Sequence, residues 1–262
     1  MPDPSSSVVL YEVVDSHIAV VTLNRPEVRN AVNGAVAQAL ELAVKRVESD
    51  PDIRVAILAS SLATVFCAGA DLAEVAAGNR AGLRTSDGGF AGFVNAKRTK
   101  PWIAAVRGAA FAGGCEIAIA CDMIVASEDA RFGVPEVKRG LLAGAGGLHR
   151  LPQILPRNIA IEMIATGRPI DAQRAHLHGL VNQVAPLGST LDAALELARE
   201  IAGNAPLSVA GSLEVVQRVF EIDEEELLAL TAQVSARVAS SEDSREGPRA
   251  FLEKRPARWT GR

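Results

Sequence analysis

The sequence predicts an α/β fold, because segments typical of strands alternate with segments typical of helices. Residues 17–26 are rich in β-branched side chains and end at a proline turn, which predicts a strand. Residues 34–50 carry apolar side chains at helical spacing, which predicts an amphipathic helix. Residues 53–60 are apolar on both faces, as in a buried strand of a parallel sheet.

The same order of elements returns later in the chain. Residues 101–108 predict a strand, residues 113–122 a short buried helix, and residues 123–128 a further strand. Between the two units, the glycines and scattered polar residues of residues 77–100 predict a mobile connection with one helix near residues 90–98.

From Leu148 onward the chain has mostly helical patterns. The last long pattern begins with an acidic run, which the helix dipole favours at an N-terminus. We therefore predict an α/β core over residues 1–187 and a helical C-terminal region over residues 188–262. The basic tail is expected to expose Trp259.

Composition limits the classes of partner and location. A chain of 262 residues with 48% hydrophobic and 22% charged residues is typical of a globular protein with a sizeable core. The net charge of −4 argues against nucleic acid as the main partner. No stretch reaches the roughly 18 apolar residues that a membrane span needs, and the start lacks the pattern of a secretory signal. The three cysteines have no metal-ligand spacing, so we expect reduced thiols in a cytoplasmic protein.

The glycines ahead of Glu116 predict a corner that binds an anion. A strand ends near Arg107 and a helix begins near Gly113. The first amides of a helix lack partners inside the helix and lie at the positive end of its dipole. Gly113 and Gly114 would let a ligand approach these amides, and Glu116, about one turn along the same face, would project over it.

A second corner of this kind lies in residues 65–75. Asp71 can cap a helix, with Glu74 three residues later as in a capping box. The amide of Ala70 precedes that helix, so it is expected to be available as a donor. Two converging amides are what an oxyanion or an enolate needs.

A third candidate stretch, residues 131–147, contains Glu136 and a glycine run that leads into another helix. Paired carboxylates can move protons or hold a water molecule, and Glu116 and Glu136 are the candidates in apolar or glycine-rich surroundings. Each also has a structural interpretation, because buried glutamates serve as structural partners and a Pro-Glu pair often only starts a helix. The glycine run resembles a phosphate loop but lacks the Lys-Ser/Thr that completes one.

The combination of motifs is far more specific than its parts. The motifs occur in the order LNRPEVRNAV, FCAGADL, AFAGGCEIAIACD, FGVPEVKRGLLAGAGG and FLEKRPARWTG. From about Tyr11 to Gly261 the chain closely resembles the crotonase superfamily and, within it, the enoyl-CoA hydratases. The resemblance implies a crotonase spiral of repeated β-β-α units with a helical C-terminal trimerisation region. It also implies a homotrimer or a homohexamer.

The resemblance further implies the residues of the site. Glu116 and Glu136 correspond to the two catalytic glutamates, and the backbone amides of Ala70 and Gly113 correspond to the oxyanion hole. The implied substrate-binding positions are Ala68, Asp71, Leu72, Arg29 and Lys254, with Lys254 supplied by a neighbouring subunit. For Arg29 and Lys254 a solvated surface charge is an equally good interpretation. No metal and no cofactor is implied, because coenzyme A is part of the acyl-CoA substrate.

We therefore expect an enoyl-CoA hydratase, which adds water reversibly to a 2-trans-enoyl-CoA to give a 3-hydroxyacyl-CoA in fatty-acid or other acyl-CoA degradation. An isomerase can work with one carboxylate near Glu136, so the presence of both glutamates favours hydration. An enoyl-CoA isomerase, a specialised hydroxyacyl-CoA dehydratase and a non-catalytic acyl-CoA-binding protein stay open as alternatives. Ala143 stands where many hydratases have proline, which leaves the substrate range open.

Overall fold

The computed structural model describes residues 7–262, and its strands form two larger sheets and one two-stranded ribbon. The strands are β1 (Val9–Val14), β2 (Ile18–Leu23), β3 (Val55–Ser60), β4 (Val65–Cys67), β5 (Arg84–Thr85), β6 (Gly89–Phe90), β7 (Trp102–Val106), β8 (Ala109–Phe111), β9 (Met123–Ser127), β10 (Arg131–Gly133), β11 (Ile170–Asp171) and β12 (Gln183–Ala185). The helices are α1 (Gly34–Ser49), α2 (Leu72–Ala76), α3 (Gly113–Ala118), α4 (Gly147–Ile154), α5 (Arg157–Thr166), α6 (Ala172–Leu177), α7 (Thr190–Ala202), α8 (Pro206–Val216), α9 (Glu224–Ala239) and α10 (Asp243–Leu252).

The larger sheet has the strand order β1-β2-β3-β7-β9-β12, and all neighbours except β1 and β2 are parallel. Side chains alternate between its two faces along β2. Ile18 and Val20 pack with the alanines of α7, whereas Ala19, Val21 and Leu23 pack into the main core with α1. The sheet is therefore buried between helices, which confirms the predicted α/β class.

The smaller sheet positions the candidate site. Its order is β11-β10-β8-β4, and β8 is parallel to both β4 and β10. The carboxyl ends of parallel strands meet at one edge of a sheet, where ligands of α/β proteins commonly bind. β4 leads into residues 68–71, β8 into Gly113, and β10 into a 3-10 helix at Pro135–Arg139. All three corners predicted from the sequence thus begin at the same edge.

The predicted helix near residues 90–98 is wrong. β6 pairs antiparallel with β5, and turns follow it. Phe90 and Phe93 are buried, and the Phe93 ring meets the Trp102 ring edge-on with 5.1 Å between centroids. The Phe93 and Val94 amides both donate to the Phe90 carbonyl, but these hydrogen bonds close turns and do not continue into a helix. Burial of aromatic side chains therefore fixes this segment as a series of turns.

The C-terminal region is helical, as predicted. α7 packs on the larger sheet through Ala194 and Ala198, and the domain boundary near residue 187 stays a prediction. Trp259 is partly buried, contrary to the expected exposure, because its Nε1 donates a hydrogen bond to the Gly203 carbonyl oxygen at 2.7 Å. Among residues 7–262, no helix is both long and apolar enough to cross a membrane.

Candidate active site

Two of the corners meet at Gly69 and Gly113. A Cβ atom on Gly69 would lie 2.8 Å from the Gly113 nitrogen, and Gly69 has a φ of +91°, so only glycine fits there. The Val32 amide donates to the Gly69 carbonyl and the Asp71 amide to the Val32 carbonyl, so this pairing does not use the Ala70 amide. Within residues 7–262 neither Ala70 nor Gly113 donates a backbone hydrogen bond. The two amides are therefore available to donate hydrogen bonds to a ligand.

The residue before Gly113 has a strained backbone. Ala112 has φ 52° and ψ −129°, a conformation that residues with a Cβ rarely adopt. Hydrogen bonds hold it on both sides: the Ala112 amide donates to Gly133 at 2.9 Å, and the Glu116 amide donates to Ala112 at 3.1 Å. Such strain persists where the surrounding structure enforces it, most often at functional sites.

Glu116 is 3% exposed, and two backbone amides hold its carboxylate. Its Oε1 accepts hydrogen bonds from Ala145 at 2.7 Å and from Gly147 at 2.9 Å. Burial raises the pKa of Glu116, and the two amides oppose this rise because they stabilise the ionised form. Within the described residues its Oε2 accepts no hydrogen bond, so this oxygen is left for a ligand.

Glu136 lies in the 3-10 helix that Pro135 starts. Its Oε2 is buried and has no hydrogen-bond partner in the part of the chain that the structure describes. Burial raises the pKa of Glu136 to about 7, and the nearby charge of Glu116 adds to the rise. A carboxyl group with such a pKa can carry a proton near neutral pH and give it up during a reaction.

One cavity of about 930 Å³ connects these groups. It is lined by the two glutamates, by both amide-bearing residues, and by four of the five predicted substrate-binding positions: Arg29, Ala68, Asp71 and Leu72. Lys254 follows α10 as an exposed residue and does not line this cavity. Its contribution from a neighbouring subunit stays a prediction.

Asp71 supports the cavity wall through contacts within the chain. One carboxylate oxygen caps α2 by accepting from the Ala73 amide at 3.1 Å, and the other lies 3.2 Å from Nη1 of Arg25. The predicted cap is confirmed. The reciprocal half of the capping box is absent within the described residues, because Glu74 instead accepts a hydrogen bond from Asn79 at 2.9 Å.

The glycine run of residues 143–147 holds a carboxylate. Its amides at Ala145 and Gly147 bind Glu116, and the Ala143 side chain is buried beside Gly147. Glycines ahead of a helix indicate available backbone amides, and the sequence pattern shows them. It does not show that the partner of these amides is Glu116. That partner comes from a distant part of the chain.

Other candidate groups do not add to the site. Burial raises the pKa of Cys67 and of Cys121 to about 12, which keeps these thiols protonated and agrees with the interpretation as core residues. Within residues 7–262, no three His, Cys, Asp or Glu side chains are placed so that they could hold a metal ion.

Known proteins match the chain over almost its whole length. The sequence profile of the Enoyl-CoA hydratase/isomerase family matches residues 14–262. A carnitinyl-CoA dehydratase of Proteus mirabilis is 40% identical over 247 residues, which cover 92% of this chain and 94% of that protein. The crystal structure of an enoyl-CoA hydratase from Mycobacterium tuberculosis superposes with a TM-score of 0.93 at 43% identity, covering 98% of this chain and 100% of the other. That of a carnitinyl-CoA hydratase from Mycobacterium avium superposes with a TM-score of 0.77 at 41% identity, covering 98% and 99%.

The predicted family and the crotonase fold class are confirmed by these matches. The matches cover almost the whole chain, and the cavity contains two glutamates and two available amides. The chain therefore belongs to the enoyl-CoA hydratase/isomerase family and is a hydro-lyase acting on CoA thioesters.

Proposed function

We propose that the cavity hydrates 2-trans-enoyl-CoA thioesters through Glu116, Glu136 and the amides of Ala70 and Gly113. The observation that carries this proposal is the presence of both glutamates in one cavity with both amides. The amides would bind the thioester oxygen and stabilise the negative charge that develops when water adds to the double bond.

The surroundings of the two glutamates support different roles. The two amides at Glu116 favour its ionised form, so Glu116 is the better acceptor of a proton from water. Burial gives Glu136 a pKa of about 7, so Glu136 is the better proton donor to the α carbon. The two carboxyl groups are close enough for their charges to interact, so they titrate as a coupled pair and the roles belong to the pair.

The reverse reaction is a second candidate direction. The relatives named carnitinyl-CoA dehydratase favour loss of water from a 3-hydroxyacyl-CoA. The same groups would serve, with Glu136 removing the α proton and Glu116 protonating the departing hydroxyl. We expect neither direction to need a metal or a redox cofactor, because proton transfer and charge stabilisation are supplied by the chain.

We also propose that the chain assembles as a homotrimer or a homohexamer. Large apolar side chains are exposed along the C-terminal helices and the segment between α8 and α9: Val216, Val219, Phe220, Leu228, Phe251 and Leu252. Exposed apolar surface is typical of protein–protein contacts. The cytoplasmic location likewise stays a prediction.

The decisive experiment compares Glu116→Gln, Glu136→Gln and the double variant with the parent protein. Loss of absorbance of the conjugated enoyl thioester measures hydration. Each single change should cost about 100- to 10,000-fold in turnover, because glutamine cannot exchange a proton. The double change should cost much less than the product of the two, because residues that act as a unit are not additive.

The matched control is Glu196→Gln on α7, which replaces an exposed glutamate outside the cavity. It should leave turnover unchanged. Substrate affinity should change little in any of the variants, since the amides remain. If Glu136→Gln hydrates crotonyl-CoA at close to the parent rate, the two-carboxylate mechanism is wrong. The isomerase and the acyl-CoA-binding protein then become the leading candidates.

A further inference from the structure

Two arginines, one just before the β5–β6 ribbon and one at its start, line the same cavity as the glutamates. Arg80 lies in a 3-10 helix and Arg84 in β5, and both border the cavity. Both arginines belong to the connection of residues 77–100. Their two positive charges at the border of the cavity affect which acyl groups the cavity accepts.

The strand pairing places Arg84 beside the oxyanion hole. Arg84 is the direct cross-strand partner of Phe90, and such partners project from the same face with Cβ atoms about 4.5–5.5 Å apart. The Phe90 ring in turn lies against Gly113, because a Cβ atom on Gly113 would be only 2.5 Å from its edge. The Phe90 side chain therefore lies between Arg84 and Gly113.

Within the part of the chain that the structure describes, no carboxylate pairs with either arginine. Within residues 7–262 neither Arg80 nor Arg84 forms an ion pair or a side-chain hydrogen bond. The acids of the same region have other partners: Asp87 lies 3.1 Å from Nζ of Lys45, and Glu74 accepts from Asn79. The five N–H donors of Arg84 are thus available to a planar anion such as a carboxylate.

Arg84 borders the same cavity as the two glutamates. If the thioester oxygen is bound at Gly113, then the α and β carbons extend toward the two glutamates that act on them. The positive charge of Arg84 also acts against the rise of the Glu116 pKa. A thioester bound in this way would therefore have Arg84 on the side of its acyl chain. The backbone of Arg29 contacts a different part of the cavity border, residues 68–71: its carbonyl accepts a hydrogen bond from the Ala68 amide at 3.1 Å.

We propose that Arg84 makes this cavity selective for enoyl-CoA thioesters whose acyl chain ends in a carboxylate. The proposal rests on the proposed hydratase function and names the substrate class of the same site. An uncharged chain of equal length leaves the guanidinium without its partner, and a chain with a fixed positive charge is repelled by it.

The test measures kcat/KM for glutaconyl-CoA, which ends in a carboxylate, and for 2-pentenoyl-CoA, its uncharged counterpart of equal length. The parent protein should prefer glutaconyl-CoA. Arg84→Gln should lose about 10- to 100-fold on glutaconyl-CoA, as expected for a charge-assisted hydrogen bond, and change by no more than about twofold on 2-pentenoyl-CoA. Arg84→Lys should retain part of the preference, because it keeps the charge without the planar fork.

The matched control is Arg157→Gln at the start of α5, an exposed arginine outside the cavity, which should leave both substrates unaffected. A parent protein that prefers 2-pentenoyl-CoA overturns the proposal. So does an Arg84→Gln variant that loses activity equally on both substrates and binds free coenzyme A more weakly, because Arg84 would then contact the coenzyme.

Binding separates this proposal from the hydratase assignment. Calorimetry with glutaryl-CoA and pentanoyl-CoA, which cannot be hydrated, measures the preference for the carboxylate without turnover. If the parent protein hydrates neither enoyl thioester but binds glutaryl-CoA more tightly in an Arg84-dependent way, the hydratase proposal fails and the carboxylate site stands. Equal affinity for the two saturated thioesters overturns the carboxylate site whatever the activity.

Discussion

The protonation of Glu136 should appear in the stability of the protein as well as in its activity. Replacing Glu136 with glutamine keeps the size and the hydrogen-bonding capacity of the side chain but removes its charge. Burial raises the pKa of Glu136 from 4.5 to about 7, so the folded state holds this proton more tightly than the unfolded state does. The stabilisation is fully present below about pH 4.5 and is lost as the pH rises through about 7.

The size of the effect follows from the shift. A fully buried group with this change in pKa would lose about 3 kcal/mol of unfolding free energy across that range. Glu136 is only partly buried, and solvent screening reduces the expected loss to about 1–2 kcal/mol. The Glu136→Gln variant has no group that ionises at this position. Relative to the parent protein, it should therefore gain about 1–2 kcal/mol between about pH 4.5 and about pH 8.

Urea unfolding of both proteins over this pH range, at one fixed protein concentration, measures the difference. A fixed concentration is needed because self-association adds to apparent stability. Glu196→Gln serves as the control for the loss of a glutamate and should follow the parent protein. A parent-to-variant difference that stays constant with pH, or that moves in favour of the parent protein at high pH, would refute the burial argument for Glu136.

Three further outcomes test other parts of the molecule. Gly113→Val should lower turnover about 100- to 1,000-fold, because its Cβ would lie 2.5 Å from the Phe90 ring and would displace the amide. Gly82→Val is the control, because a Cβ atom on Gly82 would have no other atom within 4 Å. If Gly113→Val folds and keeps near-normal turnover, the assignment of the oxyanion hole to Gly113 is wrong. Light scattering should give the mass of three or six chains, and a monomer at micromolar concentration would contradict the proposed assembly. Treatment with a metal chelator should leave turnover unchanged, whereas a loss restored by added metal would contradict the cofactor-free mechanism.

The longer elements could be predicted from the sequence because their stabilising interactions are repeated locally. The apolar side chains of α1 recur at helical spacing, and Asn33 caps it by accepting from the Val36 amide. The apolar run of β3 is an equally clear pattern in the sequence, and every residue of the strand is buried. The motif order indicates the family, and the resemblance implies both glutamates and both amides as the site residues.

The smaller sheet could not be predicted in this way. β4, β8 and β10 have three residues each, which is too short for a periodic pattern, and they are strands only because they pair with one another. The segment at residues 90–98 failed for a related reason. The sequence predicts one helix there within a mobile connection, but burial of Phe93 against Trp102 decides the conformation.

The sequence by itself determined the α/β class, the family, and the presence of two glutamates and two glycine-rich corners. Only the tertiary structure decided what these groups do to one another. Glu116 is held by amides at Ala145 and Gly147, 29 and 31 residues further along the chain, and Glu136 acquires its raised pKa from burial. Arg84 faces the cavity because β5 pairs with β6. The physical reason is that desolvation and charge–charge interactions depend on distance in space, and residues far apart in sequence set that distance only after the chain has folded.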